Sequence, residues 1–174
     1  SRSEPLIARW LDEYAEATPG TDVLANVTNI LGPDSQPQPD ICLIVDSDCG
    51  GQTTIDKDDF LVGPVELAVE ISYSSESIDL NAKLLDYEKA GVGEYLVVAL
   101  RRNEVFWFAR KRNKFQPLPV GKDGILHSGM FPGLWLDPAA LLERERQQLL
   151  TVLRAGLESP AHQAFVGKLA KKKA

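Results

Sequence analysis

A chain of 174 residues, 44% hydrophobic and 25% charged, suits one globular domain with or without a tail, and is long enough to bury a core without disulfide or metal staples. Its formal net charge of −6 argues against a broad basic surface that grips a nucleic-acid backbone, while leaving room for chemistry in which carboxylates hold cations. No apolar run approaches the ~18–20 residues that span a bilayer, and no secretory signal stands at Ser1-Arg2-Ser3-Glu4. Cys42 and Cys49 are too few for a disulfide framework; Cys42, inside an apolar run, reads as a buried reduced thiol, which places the chain in a reducing cytoplasm.

Leu6, Ile7, Trp10, Leu11 and Tyr14 recur at helical spacing, so the chain opens on an amphipathic helix that Thr18-Pro19-Gly20 ends. Residues 23–31 follow as a strand, 32–39 as a Pro-rich turn, 41–45 as a short apolar strand and 47–59 as a polar loop. Residues 65–71 form the next strand, with Val65, Leu67, Val69 and Ile71 on one face and Glu66, Ala68 and Glu70 on the other. Residues 72–77 supply candidate helix caps, and 78–90 read as a helix closed by Gly91. Residues 94–100 make a buried strand, turned by Arg101-Arg102-Asn103 into 104–110, and 114–120 extend the hairpin. Residues 130–135 lead into a helix from Pro138 to about 157, with a short helix after it. This order predicts an α/β or α+β fold, a sheet with helices packed on it, as a domain over 1–158 with a helical basic tail over 159–174.

The residues that carry chemistry are Asp40, after Pro39 and just before the apolar strand; Glu70, near the end of the next long strand; and Lys83, on the helix that follows. Phosphodiester hydrolysis needs a divalent cation on the scissile phosphate to lower the pKa of a water, and hard cations such as Mg²⁺ or Mn²⁺ take oxygen ligands. Two carboxylates from neighbouring strands, with the backbone carbonyl of Ile71 beside Glu70, are such a set, and an ammonium nearby offsets transition-state charge. Leu80, Leu84 and Tyr87 form the apolar stripe of that helix, and Lys83 stands at its edge, able to reach toward the sheet or to pair with Asp79 on the surface.

Each residue also has a plainer reading. Asp after Pro is a common turn residue, a helix lysine is usually a surface charge, and Glu66 fits a solvent-facing strand position as well as Glu70 does. Arg101-Arg102, Arg110-Lys111-Arg112 and the lysines from Lys168 to Lys173 read as solvated faces. Spacing alone leaves both readings open.

Segment 39–99 resembles the bacterial Uma-type restriction endonuclease family of the PD-(D/E)XK nuclease superfamily. The resemblance rests on Pro39-Asp40, Val69-Glu70-Ile71, Ser72-Tyr73-Ser74, Asp79, Lys83, Tyr87, Gly91-Val92 and Glu94-Tyr95, and continues into Phe131-Pro132-Gly133-Leu134. It implies a restriction-endonuclease-like core, a mixed β-sheet flanked by helices, with Asp40 and Glu70 on a Mg²⁺ or Mn²⁺ ion and DNA as substrate. The superfamily commonly places its lysine two residues after the acidic one; here that position is Ser72, and the family's helix lysine is Lys83. Family members also carry an acidic residue and a hairpin ahead of the first helix, so that N-terminal part is expected to be missing, with Glu4, Glu13 and Glu16 as substitute carboxylates.

Two functions compete. One is a metal-dependent DNA endonuclease working through Asp40, Glu70 and Lys83. The other is a non-catalytic binding or assembly module on the same fold, in which Phe106, Trp107 and Phe108 serve either a homodimer interface or the core. His127 and His162 lack zinc-ligand spacing, and Ser74 and Ser75 have no histidine base.

Overall fold

Helix α1 (Glu4–Glu16) begins with a proline in its first turn, where a missing N–H costs nothing, and buries Leu6, Ile7, Trp10, Leu11 and Tyr14. The Thr18 hydroxyl donates to the Tyr14 carbonyl at 2.6 Å and helps stop the helix. The computed structural model describes residues 2–74 and 76–174. Ser1, part of the start read for a leader, and Ser75, within the expected capping stretch, lie outside the described residues.

The strands in chain order are β1 (Thr21–Ala25), β2 (Asn29–Ile30), β3 (Ile41–Val45), β4 (Thr54–Ile55), β5 (Leu61–Val62), β6 (Leu67–Ser72), β7 (Glu94–Ala99), β8 (Glu104–Lys111), β9 (Lys114–Pro117), β10 (Leu126–His127) and β11 (Trp135–Leu136). Among the described residues, six of them form one sheet in the order β1-β3-β6-β7-β8-β9. All its neighbours are antiparallel except β6 and β7, which are parallel and joined by α2 (Glu76–Leu80) and α3 (Ala82–Ala90). A parallel pair requires a crossover of this kind. The chain closes with α4 (Pro138–Leu142), α5 (Arg146–Leu157) and α6 (Pro160–Lys173).

Every residue of β3 and β7 is buried, which is how strands read when helices cover both faces of a sheet. On one face, Leu43, Val69, Leu96 and Trp107 pack with α1, α4 and α5. Trp10 meets Trp107 edge-on at 5.9 Å and donates its indole N–H to the Trp135 carbonyl. On the other face, Cys42, Ala68, Tyr95 and Val97 pack with Tyr87 of α3 and with Leu61 of the small sheet β2-β5-β4. The alternation expected for 65–71 holds from Leu67 onward, with both faces interior; Val65 lies ahead of β6 and packs on the second face, not with Leu67 and Val69 as expected. Trp107 belongs to the first cluster, and Phe106 and Phe108 pack partly buried on the second, so these aromatics of the hairpin contribute to the core.

Several elements differ from the sequence expectation for local reasons. The strand expected over 23–31 breaks after Ala25 because Asn26 turns to φ 53°, a left-handed conformation that asparagine tolerates, and Asn29–Ile30 joins the small sheet. The helix expected over 78–90 breaks at Asn81, whose side-chain amide takes the Ser77 carbonyl at 2.6 Å, a bond the helix backbone would otherwise use. The helix expected from Pro138 to about 157 divides at Arg144, φ 56°. Gly91, φ 95°, closes α3 with its N–H on the Tyr87 and Glu88 carbonyls. No helix among the described residues is long and apolar enough to cross a membrane.

Candidate active site

The antiparallel register pairs Cys42 with Ala68 and Ile41 with Val69. One step further along β6, β3 has not yet begun and Asp40 comes beside Glu70. A period of two puts Asp40 and Cys42 on one face of β3, and Ala68, Glu70 and Ser72 on the same face of β6. The two carboxylates therefore share a side of the sheet, the side that α3 covers. Asp40 Oδ2 accepts the Ile71 N–H at 2.7 Å, which ties the start of β3 to the end of β6. In a strand the N–H and C=O of one residue point to the same neighbour. Ile71 thus turns its carbonyl to the same edge, where β3 no longer pairs.

Glu70 is 3% exposed. Its Oε1 accepts from Lys83 Nζ and from the Tyr87 hydroxyl, both at 3.2 Å. Among the described residues, Oε2 of Glu70 and Oδ1 of Asp40 accept no hydrogen bond. Lys83 and Tyr87 stand one turn apart on α3, so both reach the same oxygen. The Lys83 side chain, 32% exposed, also lies 3.2 Å from Asp79 Oδ1. Asp79 is not the surface partner expected from its sequence position: it is 1% exposed, its Oδ2 accepts the Ser72 hydroxyl, and its backbone carbonyl accepts the Tyr95 hydroxyl at 2.9 Å.

Burial pushes the Glu70 carboxyl up to about 7; Lys83 pulls it down, while Asp40 and Asp79 push it further up. The ion pair with Lys83 is real, but removal from water outweighs it. For Lys83, burial alone would lower the ammonium, and the pull of Glu70 and Asp79 more than offsets that, so it is raised and stays cationic. The Tyr87 phenol is raised by burial and then by Glu70, so it remains a donor.

Glu66 is also buried, contrary to its solvent-facing reading, but its work is structural. Its two oxygens accept the Val45 N–H at 2.7 Å and the Gln52 N–H at 3.0 Å, closing the far end of β3. Glu94 is likewise saturated by Trp107 Nε1, the Ser128 hydroxyl and the N–H groups of Gly129 and Met130. Glu13 on α1 belongs to the opposite side of the sheet and is bound by Arg154 and Arg9, so it supplies no carboxylate here. His162 is buried against Thr18, and His127 stacks on Trp135 at 4.2 Å.

No three of His, Cys, Asp and Glu among the described residues converge as a ready metal cluster. The residues that would hold a hard cation form a smaller set: Asp40 and Glu70, each with one oxygen unbonded among the described residues, at the edge that the Ile71 carbonyl faces, where a cation would relieve the repulsion between the two carboxylates. Mg²⁺ is commonly held by one or two carboxylates, with waters and substrate phosphates completing the octahedron.

A family model, described as "Uma2: Putative restriction endonuclease", matches residues 1–139. The chain belongs to the Uma2 family. A solved structure described as a putative nuclease belonging to DUF820 from Anabaena variabilis is similar over 80% of this chain and 79% of that one, with a TM-score of 0.54 and 12% identity. At that identity the likeness speaks to fold, and the fold is the restriction-endonuclease-like one: mixed α+β, a mixed sheet flanked by helices. No curated protein matches. Within this Uma2 chain, Tyr87 and Ser72 were passed over as site residues in the sequence. The available signals were the one-turn spacing of Lys83 and Tyr87, and the two-residue spacing that returns Ser72 to the face of Glu70.

Proposed function

We propose that this Uma2 chain is a Mg²⁺- or Mn²⁺-dependent endonuclease that hydrolyses DNA phosphodiester bonds in a reducing cytoplasm, where its two buried free thiols persist. One observation carries the reading. Two carboxylates, one at the start of β3 and one on the adjacent β6, share a face of the sheet, each with an oxygen that accepts no hydrogen bond among the described residues, and a lysine ammonium lies 3.2 Å from one of them. In this reading Asp40, Glu70 and the Ile71 carbonyl hold the cation. When bound, that cation supplies Lewis-acid stabilisation of the phosphate and a water of lowered pKa. Tyr87 fixes the Glu70 carboxylate from behind. Lys83, kept protonated by its two acidic neighbours, orients the attacking water and offsets the charge that grows on the phosphoryl oxygens. The attacking water gives up a proton to solvent as its oxygen bonds to phosphorus, the bridging P–O bond breaks, and the leaving oxygen takes a proton from solvent, so one water is added across the bond.

The acidic net charge of −6 suits a substrate gripped at the cation rather than over a basic surface. The test is cleavage of supercoiled plasmid with Mg²⁺ or Mn²⁺ by the wild-type chain, Glu70→Ala and Lys83→Ala. Loss of nicking in both variants is expected. Equal activity in all three removes the assignment. A wild-type chain that neither cuts nor binds Mn²⁺ in calorimetry leaves the binding-module reading in its place.

A further inference from the structure

Lys83 has two acidic neighbours at the same distance, 3.2 Å from Glu70 Oε1 and 3.2 Å from Asp79 Oδ1. The two carboxylates are not equivalent. Glu70 stands beside Asp40 and the Ile71 carbonyl, where a cation fits. Asp79 lies on the helical side, fixed by Ser72 through its other oxygen and by Tyr95 through its backbone carbonyl. A cation arriving on Glu70 repels the ammonium that shares that carboxylate. Lys83, a flexible chain already 32% exposed, would then be free to leave for water unless a second anion held it.

We propose that Asp79 is a positioning residue for Lys83, the anion that keeps the ammonium beside the reacting phosphate when Glu70 turns to the cation. The proposal rests on the nuclease reading above. It gives the buried Asp79 carboxylate, and the Ser72 hydroxyl where the superfamily's strand lysine would stand, one shared purpose: Ser72 orients Asp79, and Asp79 holds the lysine delivered from the helix. A purely structural Asp79, fastening α2 to β6 through Ser72, makes a different prediction, because its loss would weaken the site whether or not Lys83 is present.

The test is a double-mutant cycle with Asp79→Asn, Lys83→Met and both together. Plasmid cleavage is read as kcat and KM, and binding of Mn²⁺ alone is read by calorimetry. Asp79→Asn is expected to lower kcat about 10- to 100-fold, the range for residues that orient a site's first layer, with KM near wild type and Mn²⁺ binding weakened. In the Lys83→Met background, where cleavage is already lost, the same change is expected to move Mn²⁺ affinity by no more than about twofold, so the cycle is closed on Mn²⁺ affinity. Losses of equal factor in both backgrounds overturn the role of Asp79 while leaving the nuclease reading intact. A wild-type chain that neither binds Mn²⁺ nor cuts overturns both. If Asp79→Asn does not fold, the cycle is run with Asp79→Glu, whose longer arm displaces the ammonium, and the same non-additivity decides.

Discussion

Replacing Glu70 by Gln removes one buried charge and almost no volume, so it isolates what that charge costs the fold. In the folded chain the Glu70 carboxyl is pushed up to about 7 from an ordinary value of 4.5. The folded state therefore holds this proton more tightly than the unfolded state. Its contribution is fully present below pH 4.5 and is lost as the pH rises through 7. Each pKa unit is worth ~1.4 kcal/mol, so the window amounts to about 3 kcal/mol, most of it between pH 5 and pH 8. Glu66 and Glu94 are raised in the same direction by burial, so the wild-type slope alone is not diagnostic. The difference between wild type and Glu70→Gln, from urea unfolding at pH 5 and pH 8 without metal, cancels those shared parts. Glu70→Gln is expected to lose much less stability than wild type on going to pH 8. Saturating Mn²⁺ is expected to return the stability of wild type at pH 8 and to leave the variant unmoved, since a ligand that binds only the folded state stabilises it by mass action. A wild-type-minus-variant difference that does not change with pH refutes the argument that burial governs this carboxyl.

Glu94→Ala strands the indole N–H of Trp107, the Ser128 hydroxyl and two backbone N–H groups inside the protein. A loss of about 3 kcal/mol or more is expected in urea unfolding, with Mn²⁺ affinity unchanged in native buffer. Gly133→Ala places a Cβ at φ 88°, 2.7 Å from the Gly156 carbonyl and 2.7 Å from His162 Cβ. It is expected to cost at least about 2 kcal/mol, read as a lowered thermal midpoint, without a selective effect on plasmid cleavage.

Local chemistry made a good part of this molecule legible. The apolar stripe of α1, the run Ile41–Val45, the alternation around Val69 and the closing Gly91 follow from side-chain period and backbone freedom, and these act within a few residues. Asp40, Glu70 and Lys83 could be named from residue type and family pattern, and the structure does bring them to one face of the sheet. The misjudged residues are those whose environment is made by distant chain. Glu66 and Glu70 look alike in sequence. Glu66 lies where the last residue of β3 and the loop after it each offer an N–H group, and Glu70 lies where β3 has not yet begun and leaves room beside Asp40.

Asp79 and Tyr87 show the same division. Helical spacing puts each one turn from Lys83, but it is the parallel crossover from β6 to β7 that presses α2 and α3 onto the sheet and buries them. The amino-acid order by itself determined which segments form strands and helices, which faces are apolar, and which family the chain resembles. Cross-strand register and burial alone decided which carboxylates meet, which keep an unbonded oxygen, and which are spent on holding backbone. The physical reason is that desolvation and pairing depend on neighbours tens of residues away, and no periodic pattern along the chain encodes them.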